Sequence, residues 1–346
     1  TVKFEKNGAS AVTTSLECYR YNGKNSCKIT SPIPTVKTGY TLIGFNTNPN
    51  ATNKQWTANT EKDISADTTY YVIQSKEIKG TFNTNGAATI GASTVKCTLY
   101  NTAQSCQITT PSITPATGFS VIGWNTNQNA TESLVDVNTS TSISGNTTYY
   151  AITGKQITAS FNANGAASIS SESQSCYAYN GSADGCSITS PTIKAADGFS
   201  PLGWNTSASA TSSELSVNTS TVIKTNKTYY AITRKQITVT FNTNGAESIG
   251  SPTKSCYAYN GSTAGCSVTS PGITPASGFT ALGWNTSSSA TNSAWNVNQA
   301  KTFTANATYN AITRKQITVT FEKNGAASIS SESQSCYAYN GSTAGC

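Results

Sequence analysis

The stretch that decides the fold is TVTFNTNGA, residues 238–246, because close copies of it recur along the chain. The copies are TVKFEKNGA at 1–9, KGTFNTNGA at 79–87, TASFNANGA at 158–166 and TVTFEKNGA at 318–326. Their phenylalanines lie 78, 79, 80 and 80 residues apart. A fixed period of this length indicates a tandem array of one structural unit.

The period divides the 346 residues into four repeats and a partial fifth. The predicted boundaries are 1–76, 77–154, 155–234, 235–314 and 315–346. A frame that is cut at Pro32 and ends near Cys106 fits the period equally well. Units of about 80 residues bury only a little over half of the surface that their unfolded chains expose, and they usually need additional stabilisation.

The fourth repeat has the pattern of a β-rich unit with roughly five strands. In KQITVTF, β-branched and aromatic residues alternate with polar ones up to a turn at Asn244-Gly245, which predicts a half-buried strand. A second Asn-Gly pair, at 260–261, predicts a hairpin turn. The segment 271–278, bounded by Pro271 and Gly278, is the best candidate for a short helical turn. From Tyr230 the chain runs into the next repeat as YAITRKQITVTF without a flexible linker, which favours a semi-rigid stalk.

The ten cysteines form five pairs nine or ten residues apart, one pair per repeat. This spacing around a hairpin turn, with a strand expected on either side, predicts a disulfide-closed hairpin. Each such bond stabilises its unit by roughly 2.5–3 kcal/mol and implies an oxidising compartment. The predicted pairs are Cys18/Cys27, Cys97/Cys106, Cys176/Cys186, Cys256/Cys266 and Cys336/Cys346.

Composition argues against most other functions. The chain has no histidine, and two thiolates per unit cannot complete a zinc site, so no metal or other cofactor is expected. Its net charge of +7 comes from scattered lysines and arginines, which disfavours nucleic-acid binding. No apolar run is long enough to span a membrane. Methionine is absent, also at position 1, which favours a processed product or part of a longer protein.

Catalytic residues are not expected. Without histidine the Ser/His and Cys/His pairings are impossible, and the 15 carboxylates seldom recur at one place in the repeat. No Lys, Asn and carboxylate trio recurs for an isopeptide crosslink, and no calcium loop motif is present. About twelve N-x-S/T sequons occur, about as many as this composition gives by chance.

Two sets of aromatic residues are candidates for binding. The aromatic at the centre of each repeat, Phe45, Trp124, Trp204 or Trp284, could stack on a sugar, but a core position is favoured because every small unit needs a large apolar side chain. Tyrosines beside the first cysteine of the hairpin are expected to share one face, where they could serve as an interface or simply pack the hairpin. These tyrosines are Tyr177, Tyr179, Tyr257, Tyr259, Tyr337 and Tyr339.

Three phrases together resemble the Listeria–Bacteroides repeat, or internalin B-repeat type, of secreted and cell-wall-attached bacterial proteins. They are TVTF-x-x-NG, then GYTLIGFNT at 39–47 or GFTALGWNT at 278–286, and a closing Tyr-Tyr-Ala-Ile strand. The resemblance implies a β-grasp-like unit, an extracellular or cell-wall location, and no catalytic residue. The cysteine hairpin departs from it as an insertion.

The sequence therefore predicts a β-rich tandem repeat array that serves as a structural stalk, a spacer or a component of an extracellular fibre. The alternative is an adhesin that binds a host surface protein or glycan through the hairpin tyrosines. In a fibre the partner would be another copy of the chain, pairing edge to edge. An enzyme is the least favoured interpretation.

Overall fold

A computed structural model describes residues 1–346, and every regular element in it is a β-strand. The chain divides into two compact units, residues 1–157 with 177–185 and residues 158–176 with 186–346. The prediction of a β-rich tandem array with a disulfide-closed hairpin in each repeat is confirmed.

The strands of the first half follow one another in a repeating order of short and long elements. They are β1 Val2–Glu5, β2 Ser15–Leu16, β3 Cys27–Thr30, β4 Thr41–Asn46, β5 Glu61–Ile64, β6 Thr68–Asn83, β7 Thr89–Ile90, β8 Thr94–Tyr100, β9 Cys106–Thr109, β10 Ile113–Thr114, β11 Ser120–Asn125, β12 Ser140–Ile143 and β13 Thr147–Asn162.

The same order continues in the second half. The strands are β14 Ser168–Ile169, β15 Ser173–Tyr179, β16 Cys186–Thr189, β17 Ile193–Lys194, β18 Ser200–Asn205, β19 Ser220–Ile223, β20 Lys227–Asn242, β21 Ser248–Ile249, β22 Thr253–Tyr259, β23 Cys266–Thr269, β24 Ile273–Thr274, β25 Thr280–Asn285, β26 Ala300–Phe303, β27 Ala307–Thr320 and β28 Ser333–Tyr339.

In the first unit the main sheet is mixed. Strand β1 lies parallel to the first part of β6, and β4 and β8 lie antiparallel to β6. The end of β6 then pairs in parallel with the start of β13. The parallel pairing of the first and last strands of a repeat matches the expected β-grasp-like sheet, and no helix crosses it.

The second unit repeats this arrangement around β20. The end of β20 lies parallel to the start of β27, while β18 and β22 lie antiparallel to β20. Strands β25 and β28 flank β27 in the same way. Short two-stranded sheets, such as β16 with β19 and β23 with β26, lie beside the main sheet.

The long strands join consecutive repeats without a linker. Strands β6 and β20 each contain 16 residues, against roughly 5–6 in an ordinary strand. At about 3.3 Å per residue each is about 50 Å long. The boundaries predicted at 76/77 and 234/235 fall inside β6 and β20, so the last strand of one repeat is also the first strand of the next.

The Gly-Trp motif turns an aromatic side chain into each core. The register of β25 against β27 shifts between Ala281 and Gly283, which is a β-bulge, and Gly283 has φ +135°. A Cβ on Gly283 would lie 2.6 Å from the carbonyl oxygen of Trp295, so only glycine fits. Trp284 is fully buried and meets the Phe241 ring edge-on at 4.7 Å. The prediction that these central aromatics belong to the core is confirmed.

The short helical turn predicted at 271–278 is wrong. Ile273–Thr274 forms β24, which pairs with β21, and Gly250 N donates to Gly272 O at 3.0 Å. Because Pro271 and Pro275 restrict the residues before them to extended conformations, the segment adds a short strand instead of a helical turn.

The fifth hairpin, closed by Cys346, differs from the prediction of a strand on either side of the turn. Cys346 bonds Cys336 as predicted, but Cys346 lies exposed and outside any strand, whereas Cys266 begins β23. In the fourth repeat, β23 forms by pairing with β26. In the first hairpin it is the other arm that is irregular, since Cys18 lies outside any strand.

Candidate functional site: the junction between repeats

The first Asn-Gly turn of a repeat is bound to that repeat's own loop. Asn7 has a left-handed backbone, φ +43°, and its Nδ2 donates to Pro49 O at 2.8 Å and Val72 O at 3.0 Å. Asparagine tolerates this conformation better than most residues. The turn that ends the first strand is therefore fixed against the loop that follows the Gly-Phe or Gly-Trp motif.

The hairpin of the next repeat reaches the same loop. Asn101 Nδ2 donates to Pro49 O at 2.9 Å and to Ala51 O at 3.0 Å. Its Oδ1 accepts from Gln74 N at 3.1 Å, and its backbone N donates to Gln74 O at 3.0 Å. The carbonyl of Pro49 thus accepts from two asparagines of consecutive repeats. We call this pair of side chains and their shared carbonyl the asparagine node.

The node recurs at each later junction. In the first unit Asn85 and Asn180 both donate to Gln128 O, at 2.8 and 3.1 Å. In the second unit Asn164 and Asn260 share Ala208 O, at 2.9 and 3.1 Å. Asn244 and Asn340 share Ser288 O, at 2.9 and 3.0 Å.

Glycines allow the two turns of a node to touch. A Cβ on Gly165 would overlap Asn260 O, and a Cβ on Gly261 would overlap the carbonyl of Gly165. Both glycines have positive φ, +84° and +68°. In repeat 2 the second glycine is replaced by Thr102, and there a Cβ on Gly8 would be 2.7 Å from Asn101 O, the widest spacing of the four nodes. Backbone therefore packs against backbone at the junctions, and at the three that have both glycines a larger side chain does not fit.

Four of the five disulfides lie at the base of the hairpins that supply these asparagines. Each bond joins two cysteines 9 or 10 residues apart, with Cα atoms 5.7–6.0 Å apart. Beyond Cys256 and Cys266 the arms of the hairpin pair with different strands, β22 with β20 and β23 with β26. This bond thus links the main sheet to the small sheet and holds the hairpin tip against the preceding repeat.

The bond between Cys336 and Cys346 lies in the last hairpin of the chain. It closes the loop that carries Asn340, while β28 pairs with β27 on one side only. The tip still reaches the preceding repeat, since Asn340 donates to Ser288 O.

The hairpin tyrosines lie on the solvent-facing side of the main sheet. Tyr257 is 39% exposed and Tyr177 50% exposed. Within each pair the rings are 6.1–6.3 Å apart, for Tyr177 with Tyr179, Tyr257 with Tyr259 and Tyr337 with Tyr339. They are accessible for binding, and their use as an interface stays a prediction.

A hydrogen bond of the central tryptophan was missed from the sequence. Trp284 Nε1 donates to Pro271 O at 3.0 Å, and Trp124 and Trp204 make the equivalent bond to Pro111 O and Pro191 O. The bond fixes the proline segment to the core. The recurrence of a proline 13 residues before each tryptophan was the available signal.

Two repeats have a second tryptophan, Trp56 or Trp295, and in both a lysine lies over its ring. Lys62 Nζ lies 5.9 Å from the Trp56 ring centre, and Lys301 Nζ lies 5.9 Å from that of Trp295. Repeats with Val135 or Leu215 at this position have a threonine in place of the lysine. These tryptophans are buried and pack in the core.

Several of the sequon asparagines have structural roles in turns and loops. Asn180, Asn260 and Asn340 belong to nodes, and Asn205 is buried and bonds Ser212 O. These asparagines are therefore accounted for by their structural roles, without glycosylation.

The carboxylates that form ion pairs are exposed at the surface. The N-terminal ammonium of Thr1 hydrogen-bonds Asp67 at 2.7 Å and lowers the pKa of that carboxyl. This pair lies exposed at the surface. The structure also brings no group of three His, Cys, Asp or Glu residues together that could hold a metal ion.

Fold and junctions define a class of protein: tandem mixed-β domains that share strands and carry disulfide-closed hairpins. The family profile of the Listeria-Bacteroides repeat domain matches residues 1–72, 80–152, 158–232 and 238–312. The chain therefore belongs to the Listeria-Bacteroides repeat domain family. Comparison with curated proteins and with solved structures gave no match.

The structure contains no helix of the length and hydropathy that crossing a membrane requires. Five disulfides indicate an oxidising, non-cytoplasmic compartment.

Proposed function

We propose that the chain is the structural spacer of an extracellular or cell-wall-attached bacterial protein. The observation that carries this proposal is the asparagine node, which couples each repeat to the next by hydrogen bonds and backbone contact. Shared strands support it, because a spacer that bears load needs junctions without flexible linkers. Adding such repeats lengthens a spacer without changing any junction.

Single-molecule force extension of the full chain tests this function. We expect discrete unfolding events, one for each complete repeat, because each repeat is a cooperative unit coupled to its neighbours. With disulfides intact, each event should release about 35 Å less chain than under reducing conditions, since roughly 10 residues stay closed in the loop at about 3.5 Å each. Smooth extension at low force in the oxidised state would argue against a load-bearing spacer.

A second candidate function is binding through the hairpin tyrosines to a host protein or glycan. It is favoured by the exposure of Tyr177, Tyr257 and Tyr337 at equivalent places on the solvent-facing side of the main sheet. Rigid tyrosines on strands provide contact area at low entropic cost, and recurring sites add avidity. Replacing Tyr257 and Tyr337 with serine should reduce adhesion to host cells without lowering the melting temperature. A lower melting temperature with unchanged adhesion would assign them to packing alone.

A further inference from the structure

We propose that the Tyr–Arg faces of strands β20/β22 and β27/β28 bind the acidic groups of an anionic polysaccharide, such as a polyuronate. This names the ligand of the second candidate function, on which it rests, and it does not depend on the spacer function. The sites centre on Arg234 with Tyr257 and on Arg314 with Tyr337.

Each site is a guanidinium stacked on an exposed ring. The Cζ atom of Arg234 lies 4.8 Å from the ring centre of Tyr257, and Arg314 lies 4.8 Å from that of Tyr337. Neither arginine forms a salt bridge. Stacking holds the planar group in one orientation and leaves its N–H edge free to take a carboxylate or sulfate through two parallel hydrogen bonds.

The surroundings of the arginines are cationic and hydroxylated. Strands β18, β20, β22, β25, β27 and β28 contain six Lys or Arg residues and no Asp or Glu. Arg234 lies opposite Tyr259 in the antiparallel ladder, and Gln236 opposite Tyr257. An anion that approaches this sheet therefore meets donors and no competing carboxylate.

The same face favours a sugar chain over a protein partner. Protein interfaces depend on anchors that fill desolvated pockets, whereas Thr238, Ser255 and Gln236 give this face a flat polar surface. Tyrosine rings can stack on the C–H faces of sugar rings, and neighbouring hydroxyl and amide groups can bond their hydroxyls. Two equivalent sites in one chain match the repeating charges of a polyanion and add avidity.

Equivalent positions elsewhere in the chain lack the arginine. Gly154 lies beside Tyr179 in the first unit, where a Cβ would be 3.6 Å from the ring, and Ser75 lies opposite Tyr100. The anion-binding site is thus restricted to the two tyrosine pairs that have an arginine.

The test measures binding of the full chain to polygalacturonate by fluorescence anisotropy at low and high salt. We expect binding at low salt that weakens as salt rises, because the contacts are ionic. Replacing Arg234→Gln and Arg314→Gln together should weaken binding by about 10-fold or more, since two charge-assisted bidentate contacts are lost. Arg234→Lys with Arg314→Lys should weaken it less, because charge remains and the planar fork is lost.

The matched control removes the same charge elsewhere. Lys194 and Lys224 are exposed residues of the same unit outside β20, β22, β27 and β28. Lys194→Gln with Lys224→Gln should leave binding nearly unchanged, and circular dichroism should show all variants folded. An equal loss of affinity in this control would show that binding depends on net charge alone and would overturn the proposal.

Two further results would also overturn it. If fully methyl-esterified, uncharged polygalacturonate bound equally well, the chain would bind glycans without recognising their acidic groups, and the anion-binding site would be disproved. Absence of binding to both polymers would remove this ligand and weaken the adhesin function with it.

Discussion

At the residue scale, one asparagine in each docked hairpin connects two consecutive repeats by hydrogen bonds. The side chain of Asn260 donates two hydrogen bonds into the preceding repeat and accepts one from Thr233 N at 3.2 Å. Its left-handed backbone, φ +55°, points the tip of the hairpin at the loop that it binds. Losing this side chain removes the donor to Ala210 O and the acceptor of Thr233 N, while Ala208 O keeps its hydrogen bond from Asn164.

Glycine next to that asparagine should be required only where a junction exists. Gly261→Ala places a Cβ against the Gly165 carbonyl, whereas Gly23→Ala in the first hairpin has the same Y-N-G context, a similar φ of +75° and open space around it. We expect about 1 kcal/mol of strain in both variants and roughly 1–3 kcal/mol more in Gly261→Ala. Urea unfolding measures the difference, and equal losses would mean that the contact is unimportant.

The central tryptophan should be needed for its N–H as well as its size. Trp284→Phe keeps an aromatic of the kind that Phe45 provides in repeat 1, but it removes the donor to Pro271 O. We expect a loss of roughly 1–3 kcal/mol from the unpaired carbonyl and the smaller ring. Thermal unfolding followed by calorimetry checks this, and an unchanged melting temperature would show that the bond contributes nothing.

At the element scale, the hairpin belongs to two repeats at once. Its first arm, β22, adds to the main sheet, while its tip at Asn260-Gly261 contacts the repeat before it. The outer edge of β22 is short: Thr253 O accepts from Ser251 Oγ at 2.7 Å and Tyr259 O accepts from Ser262 N at 2.9 Å. Antiparallel alternation then leaves Ser255 and Tyr257 as the residues of this edge whose outward carbonyls have no such partner. So short an edge disfavours strand pairing between chains.

Removing one disulfide should loosen a junction only where the hairpin tip is docked. Cys256→Ala with Cys266→Ala loses about 3 kcal/mol of loop constraint and frees the tip that carries Asn260. The control, Cys18→Ala with Cys27→Ala, opens a loop of similar length whose Gly23 contacts nothing. Amide exchange at Thr233 should accelerate in the first variant, while the control should leave exchange at Gln74 unchanged. Similar changes at both amides would mean that the disulfide acts on unfolded-state entropy alone.

Much of this element structure was predictable because its signals are local. Alternating residues identified the strands, Asn-Gly pairs identified the turns, and spacing identified the cysteine pairs. Spacing could not show which partner the second arm of a hairpin takes, because β23 pairs with β26, which lies far along the chain.

The node was not predicted, because its two asparagines, such as Asn164 and Asn260, are far apart in sequence and each looks like an ordinary turn residue. One signal was present: repeat 2 keeps Asn101 although Thr102 replaces the glycine. The asparagine therefore has a role beyond the turn.

At the scale of the whole molecule, the chain repeats a junction as much as it repeats a domain. Strands β6 and β20 serve two repeats each, and the nodes join the same pairs of repeats through side chains and backbone. Stability in such an array is a sum of repeat and interface contributions. A change at one node should therefore be felt in the repeats on both sides of it.

Amide hydrogen exchange of Asn260→Asp tests this coupling most directly. The variant keeps the shape and the left-handed backbone but replaces two donated hydrogen bonds with a carboxylate that faces carbonyl oxygens. We expect a loss of roughly 2 kcal/mol, or about 30-fold faster exchange, in the cores around both Trp204 and Trp284. Asn22→Asp, whose side chain lies exposed in the first hairpin, should have almost no effect. Faster exchange confined to residues 256–266 would contradict the coupling of repeats through the asparagine node.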